Sequence, residues 1–128
     1  MGVCQADGTR AADFRYVSWE IREGAHKIPG LPCLFDEDET AETLVIFLED
    51  AASSLKLELY YVVFADRDVI ARSARITNGG KEAVRLEKMM SACLELPNGS
   101  WEAIHFHGRH AMERRLERLP LMHGTMEV

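Results

Sequence analysis

The stretch from Leu55 to Phe64, L-K-L-E-L-Y-Y-V-V-F, decides the fold because its character changes along its length. Its first half alternates apolar and charged residues, which is the period of a β-strand with one buried face. Its second half is apolar on both faces, as expected where a strand is covered on each side. The run Thr43–Asp50, T-L-V-I-F-L-E-D, also alternates, and Ala51–Ser54 fits a short hairpin connection between the two. The sequence therefore predicts an antiparallel pair of strands.

Each of the two predicted strands has one consistently apolar face. This face carries Leu44, Ile46 and Leu48 on the first strand, and Leu55, Leu57, Leu59, Tyr61 and Val63 on the second. The opposite face mixes apolar side chains with Lys56, Glu58 and Glu49. Such a pair needs a partner layer, because an apolar sheet face is stable only when another element covers it.

Turn signals divide the next part of the chain into further strands. Asn78-Gly79-Gly80-Lys81 is the clearest turn, because Asn and Gly tolerate the positive φ that tight hairpins require. It predicts a hairpin between the strands before and after it. The predicted strands after Phe64 are Val69–Thr77, Val84–Leu96 and Trp101–His107, with turns at Ala65–Asp68 and Pro97–Ser100. Strands joined in this way form a β-meander, so the fold class is an all-β antiparallel sandwich.

The two ends of the chain have weaker patterns. Asp13–Ile21 fits a strand, and Gly24–Pro32 is an irregular loop with two glycines and two prolines. Ala111–Leu119 is rich in good helix formers, and its apolar residues have helical spacing, which favours a helix over a strand by a small margin. No internal repeat or linker interrupts the sequence, so residues 1–128 are predicted to form a single domain.

Composition excludes several classes of function. Of 128 residues, 47% are hydrophobic and 28% are charged, which is ordinary for a globular protein, and no apolar run is long enough to cross a bilayer. A net charge of −6 disfavours nucleic acid as a partner. No secretory signal precedes the first strand, and three cysteines without a C-x-x-C motif favour reduced thiols. The expected location is the cytoplasm.

The histidine-rich run His105-Phe106-His107-Gly108-Arg109-His110 is the sharpest candidate site. On a strand, His105 and His107 face the same way, which suits two imidazole ligands of a metal ion, and the third ligand could be His110 or Glu113. Histidine pairs with this spacing also arise by chance in exposed strands. The favoured interpretation of the residues alone assigns no metal ligand, no cofactor and no catalytic residue.

Two other groups of residues suggest binding or chemistry. Trp19 and Trp101 are candidate sugar contacts, because an aromatic ring offers an apolar platform to a pyranose, although core positions are the more frequent use of strand tryptophans. Asp66 and Asp68 resemble the carboxylate pair of glycoside cleavage, but they lie in one tight turn and cannot flank a bond from both sides. The acidic run Asp36–Glu39 matches no calcium loop and is interpreted as a solvated tip.

The order of several segments resembles glycoside hydrolase family 36, the bacterial α-galactosidases and their relatives. The strongest matching segment is Tyr61–Gly80, Y-V-V-F-A-D-R-D-V-I-A-R-S-A-R-I-T-N-G-G. The other matching segments, in the family's order, are Asp13–Ser18, Ile28–Pro32, Thr43–Asp50, Met90–Pro97 and Ile104–Arg109. The resemblance covers nearly the whole chain. One departure is His110, which stands where the family commonly has tryptophan and puts any role of that aromatic residue in doubt.

The resemblance implies a fold and a function that periodicity does not. The chain would be a fragment of the amino-terminal, galactose-mutarotase-like β-supersandwich that precedes a catalytic TIM-type barrel, and Gly108–Leu119 would be strand instead of helix. The parent would hydrolyse terminal α-galactosyl bonds of melibiose- and raffinose-type sugars with retention, using two barrel aspartates and no metal. No segment of this chain matches the barrel motifs, so no catalytic residue is carried over, and a structural and oligomerisation role is implied.

Two expectations follow for the isolated chain. A partial sandwich leaves strand edges and one apolar face without a partner, so the chain should self-associate. The alternative function from another class is a stand-alone carbohydrate-binding sandwich with Trp19 or Trp101 on an exposed face. The exposure of the two indoles distinguishes these functions.

Overall fold

The computed structural model describes residues 1–36, 40–90 and 96–122, and nearly all of its regular structure is β-strand. The strands are β1 (Gly2–Cys4), β2 (Arg15–Glu23), β3 (Glu42–Asp50), β4 (Leu55–Phe64), β5 (Val69–Asn78), β6 (Arg85–Lys88), β7 (Glu102–Arg109) and β8 (Met112–Pro120). A single 3-10 turn, Ala65–Arg67, is the only helical segment among these residues. Within the same ranges, no helix is long and apolar enough to span a membrane.

The chain divides into two compact units, Met1–Cys93 and Leu94–Val128. The first unit contains a four-stranded antiparallel sheet in the order β2-β3-β4-β5 and the small antiparallel pair β1–β6. The second unit contains the antiparallel hairpin β7–β8. The predicted all-β antiparallel fold is confirmed, and the four-stranded sheet is a β-meander. A single domain over residues 1–128 stays a prediction.

Cross-strand register gives the four-stranded sheet two distinct faces. Val45 lies opposite Tyr60 and Ile46 lies opposite Leu59, so neighbouring residues along a strand belong to opposite faces. We call one face the covered face; its central side chains are 5% exposed or less and comprise Thr43, Val45, Tyr60, Val62 and Phe64. We call the other the open face; its central side chains are Leu44, Ile46, Leu48, Leu57, Leu59, Tyr61 and Val63, which are half-buried except for the exposed Val63.

The segment from Gly24 to Asp36 lies over the covered face and makes it the core of the first unit. The hydroxyl of Thr43 donates to the Gly24 carbonyl at 2.7 Å and accepts from the His26 backbone N–H at 3.0 Å. The His26 ring stacks on Tyr60 with 3.7 Å between centroids and 7° between planes. These contacts join the irregular segment to the sheet, because each buried polar group of Thr43 finds a partner there.

The hairpin between β3 and β4 forms where the sequence predicts it. Asp50 is 4% exposed and accepts hydrogen bonds from the Ser53 hydroxyl at 2.9 Å and from the Ala52 N–H at 3.0 Å. The Ser53 hydrogen bond lowers the pKa of Asp50, so its carboxylate remains charged and closes the turn. Ser54 takes a φ of 58°, which completes the reversal.

The predicted hairpin at Asn78–Lys81 is wrong. β6 pairs with β1 and not with β5, and neither Gly79 nor Gly80 has a positive φ. Glycine is needed at Gly79 for another reason: a Cβ there would lie 2.9 Å from the Ser54 carbonyl oxygen. The Gly79 N–H donates to that oxygen at 3.0 Å, so this segment packs against the β3–β4 turn instead of reversing the chain. Of the predicted return strand Val84–Leu96, residues 85–88 are strand, and residues 91–95 lie outside the described residues.

The helix favoured for Ala111–Leu119 is also wrong, because Ala111 lies in a turn and the residues after it form β8. Pairing with β7 overrides a helix propensity that amounts to a few tenths of a kcal/mol per residue. The turn at Gly108 fixes this pairing: a Cβ there would lie 2.4 Å from the Met112 carbonyl oxygen, and the register shifts between His107 and Arg109. The strand implied by the family resemblance is confirmed.

Candidate functional site

The open face is a candidate binding surface. Trp19 on β2, Ile46 on β3, Leu59 on β4 and Ala74 on β5 lie opposite one another in register and form one apolar row across the sheet. Trp19 and Ile21 are each 58% exposed. On β5, Ile70 is 63% exposed next to Val63. Large apolar side chains therefore remain in contact with solvent over much of this face.

The chemistry of the open face suits packing and not catalysis. Its central rows are hydrocarbon and aromatic, and the guanidinium of Arg72 lies 5.2 Å from the Tyr61 ring centroid. A contiguous exposed apolar face marks a protein contact surface, because monomeric proteins rarely leave one uncovered. The strands at its two sides, β2 and β5, are also the edges of the sheet and carry unpaired backbone groups.

Both tryptophans are exposed in the described structure, so neither occupies a core position within this chain. Trp19 is 58% exposed on the open face. Trp101 is 42% exposed, and its indole N–H donates to the Pro97 carbonyl at 2.8 Å, which ties the ring to the turn before β7. Their local environments therefore differ: Trp19 lies among apolar neighbours of a sheet, and Trp101 closes a loop.

The two histidines of the candidate metal site do face the same way, but the third residue beside them is Glu117. In the β7–β8 register, Glu117 lies directly opposite His105. Neither His110 nor Glu113 belongs to the group of potential ligands found in the described residues. The Glu113 carboxylate accepts a hydrogen bond from the Ala111 N–H at 2.9 Å and so stabilises the turn. Sequence reasoning missed Glu117 because it sought a third ligand close in sequence, whereas cross-strand pairing supplies one ten residues away.

The remaining acidic candidates have structural roles. The Asp36 carboxylate accepts hydrogen bonds from the Thr40 and Ala41 N–H groups at 3.1 Å, and residues 37–39 lie outside the described residues. Asp66 forms an ion pair with Arg67, and Asp68 adopts a left-handed backbone with φ 51°. These two aspartates form a turn, as the sequence predicts.

Comparisons with known proteins agree with this architecture. The sequence profile described as "Glycosyl hydrolase family 36 N-terminal domain" matches residues 1–128. The chain is 42% identical over 119 residues to the bifunctional alpha-galactosidase/sucrose kinase AgaSK of Mediterraneibacter gnavus, covering 93% of this chain and 13% of that protein. It is 41% identical over 113 residues to alpha-galactosidase Mel36A of Lactobacillus acidophilus, covering 88% and 15%.

Solved structures show the same fold. The crystal structure of the family 36 alpha-galactosidase AgaA of Geobacillus stearothermophilus superposes with a TM-score of 0.91 at 36% identity, covering 96% of this chain and 17% of that one. The galactosidase domain of AgaSK gives a TM-score of 0.90 at 40% identity, covering 98% and 17%. A doubly substituted form of AgaA has been determined in complex with raffinose.

A sheet with one face covered by its own chain and one apolar face open belongs to the class of β-sandwich domains. Within that class, this chain belongs to the glycoside hydrolase family 36 amino-terminal domains, since the profile matches it from end to end. The chain spans about one sixth of the length of the relatives it matches. The catalytic domain of those relatives is not part of this sequence.

Proposed function

We propose that this chain is the non-catalytic amino-terminal β-sandwich region of an α-galactosidase, and that its open face packs against the remainder of that longer chain. The observation that carries this proposal is the row Trp19, Ile46 and Leu59, which is apolar across the sheet and ends in a solvent-exposed indole. The matched region is a small share of each relative's length, so most of each relative lies outside it. In the parent of this chain, that remainder would cover the open face.

The energetics of burial favour a partner surface that packs on the open face. Removing a large apolar side chain from water stabilises a protein by about 1.5–3 kcal/mol. Trp19, Ile21 and Ile70 are all more than half exposed, so covering them would contribute several kcal/mol, which is comparable to the whole stability of a small domain. The role of this chain is therefore structural: it supports the catalytic barrel without supplying reacting groups.

The activity of the parent is proposed from its relatives. We infer retaining hydrolysis of terminal α-galactosyl bonds in melibiose- and raffinose-type oligosaccharides by a barrel domain with two catalytic aspartates. The alpha-galactosidase names of the relatives and the raffinose complex of AgaA support this substrate class. We also propose a cytoplasmic location, supported by Cys4 and Cys33, which form no disulfide within the described residues.

Neighbouring residues on β2 provide a matched test of the packing role. Trp19 lies on the open face, whereas the exposed Ser18 pairs with Phe47 and lies on the other face. Trp19→Glu and Ser18→Glu place the same carboxylate at consecutive exposed positions of one strand. Both variants are made in the 128-residue chain and in a longer α-galactosidase chain that carries it, and thermal unfolding and hydrolysis of an aryl α-galactoside are measured.

We expect both variants to leave the 128-residue chain folded and without hydrolase activity. In the longer chain, Trp19→Glu should lower the melting temperature and the yield of active enzyme, because it buries an unpaired charge, and Ser18→Glu should leave both near the wild-type values. Equal behaviour of the two variants in the longer chain would contradict packing of the open face. Hydrolysis by the 128-residue chain would contradict its non-catalytic role.

Self-association of the 128-residue chain is proposed from the open face and the sheet edges, and oligomer assembly of the parent from the sheet edges. The edges β2 and β5 and the open face can recruit a second copy when the remainder of the parent is missing. Sedimentation velocity should show the weight-average mass of the 128-residue chain rising with concentration, and Trp19→Glu should suppress that rise. A monomer at all concentrations would contradict this proposal.

Carbohydrate binding is a second candidate function, and the exposure of Trp19 and Trp101 favours it. A sugar stacked on either ring would displace water from it and change its fluorescence. Titration of the 128-residue chain with melibiose, in parallel with Trp19→Phe and Trp101→Phe, tests it. A saturable change in emission that one of the two substitutions abolishes would support a sugar site, and unchanged emission would rule it out.

A further inference from the structure

We propose that His105, His107 and Glu117 form a site for zinc or a neighbouring divalent transition metal that ties β7 to β8. The three side chains each offer one ligand atom, and these atoms all lie within 4.8 Å of one another. No other group of three such residues is found in the described ranges 1–36, 40–90 and 96–122. The site belongs to the hairpin of the second unit and is independent of the open face.

Two of the three distances between ligand atoms match the edges of a zinc coordination tetrahedron, and the ligand atoms of the two imidazoles lie within 4.8 Å of each other. Glu117 Oε2 lies 3.2 Å from His105 Nε2 and 3.3 Å from His107 Nδ1. Zinc bonds of about 2.0–2.1 Å to nitrogen and oxygen place neighbouring tetrahedral ligands roughly 3.3 Å apart. A single carboxylate oxygen thus stands at the required separation from both imidazoles.

One ring nitrogen has no other use in the described structure. His105 Nε2 is buried and has no hydrogen-bond partner among the described residues, although the Glu117 oxygen is 3.2 Å away. These two atoms are therefore close enough to bind one metal ion, but they are not aligned for a hydrogen bond. An unsatisfied buried polar atom is costly, and a bound cation would satisfy it.

The local charges leave the carboxylate available to a metal ion. Arg115 lies opposite His107 in register, yet no ion pair joins its guanidinium to Glu117 in the described part of the chain. Arg118 pairs instead with Glu102 at 3.4 Å. The side chains of His107 and Glu117 are each 45% exposed, so an ion can enter from solvent.

The donor set selects the kind of metal. Two imidazoles and one carboxylate suit zinc and neighbouring transition metals, whereas magnesium and calcium prefer oxygen ligands alone. Three protein ligands leave a fourth position, which water would occupy. Because the ligands come from two strands, the ion would cross-link the hairpin and raise its stability.

The test uses the 128-residue chain without a polyhistidine tag. Zinc binding is measured by calorimetry, cobalt binding by its visible absorption, and magnesium serves as the negative metal. His107→Gln removes one ligand, Glu117→Gln removes another, and His110→Gln is the matched control, because it removes an exposed imidazole from the turn of the same hairpin. Circular dichroism confirms that each variant folds.

We expect one zinc ion per chain, cobalt bands typical of low coordination number, and a higher melting temperature with zinc. His107→Gln and Glu117→Gln should each weaken zinc binding at least about tenfold and abolish the thermal shift, since each removes one of the three protein ligands. His110→Gln should bind like the wild type. No heat of binding to the wild type, or equal weakening by His110→Gln and His107→Gln, would overturn the proposal.

Discussion

The two faces of the four-stranded sheet differ in what covers them, although both are built largely from apolar residues. On the covered face, Tyr60 and Phe64 are each 1% exposed beneath the segment that contains His26. On the open face, Val63 remains 39% exposed, and Trp19 at the sheet edge is 58% exposed. The covered face therefore stabilises this chain by itself, whereas the open face can contribute stability only when another surface is added. Hydrophobicity identifies a face that needs burial, but it does not identify the partner.

The largest effect should come from removing an aromatic ring from the covered face. Phe64→Ala leaves a cavity against Ala41 and Val62 and should lower the free energy of unfolding by about 3–5 kcal/mol. Phe35→Ala is the matched control, because that ring is 72% exposed and its loss should change stability by less than about 0.5 kcal/mol. Urea unfolding of the 128-residue chain measures both. Similar losses for the two variants would remove the distinction between covered and uncovered positions.

Two adjacent valines on β4 give the sharpest comparison between the faces. Val62 is 5% exposed on the covered face, and Val63 is 39% exposed on the open face. Val62→Ala should cost about 2 kcal/mol in the 128-residue chain, from two lost methyl-group equivalents and the cavity they leave. Val63→Ala should cost less than about 1 kcal/mol there. In a longer chain that covers the open face, the two costs should become similar; a persistent gap would mean that the face stays uncovered.

The smallest effect should be a pH dependence that involves the covered face alone. Burial against Tyr60, followed by the charges of Arg75 and Arg22, lowers the pKa of His26 below its ordinary 6.5. The unfolded chain then binds more protons than the folded chain between these two pKa values, so stability falls as the pH drops below about 6.5. Above that pH the contribution is constant.

The variant His26→Gln isolates this dependence. Carboxylates that titrate at lower pH are common to both proteins, so the difference in unfolding free energy between wild type and variant reports His26. That difference should be constant above neutral pH. On acidification, the wild type should lose more unfolding free energy than the variant. A flat difference down to pH 5 would mean that the imidazole is not desolvated by the covered face.

Local periodicity predicts the strands that pair with the strand directly before or after them in the sequence. Alternation from Thr43 to Phe64 correctly identifies β3 and β4, and the turn lies at Ala51–Ser54 as predicted. It fails where the partner is distant: β6 pairs with the three-residue β1 at the opposite end of the sequence, and nothing in Gly2–Cys4 signals a strand. A turn motif such as Asn78-Gly79 cannot predict a hairpin when a carbonyl from another turn competes for its N–H group.

In the candidate sites, too, the sequence predicts local features but not contacts between distant segments. The i, i+2 spacing of His105 and His107 correctly predicts that they share a face, but their neighbour Glu117 is set by the register of β8, a segment whose residues favour a helix. Likewise, the sequence predicts an apolar face on β3 and β4. It does not reveal that the proline- and glycine-containing loop Gly24–Pro32 lies on the other side, because irregular loops carry no periodic signal.

The central claim is that the rest of a longer chain packs on the open face. The solvent exposure of Trp19 tests this claim most directly. In a Trp101→Phe background, acrylamide quenching of Trp19 fluorescence is measured at low concentration in the 128-residue chain and in a longer α-galactosidase chain whose other tryptophans are replaced. The account predicts strong quenching and red-shifted emission in the short chain, and weak quenching with blue-shifted emission in the long one. Equal, strong quenching of Trp19 in both chains would contradict it.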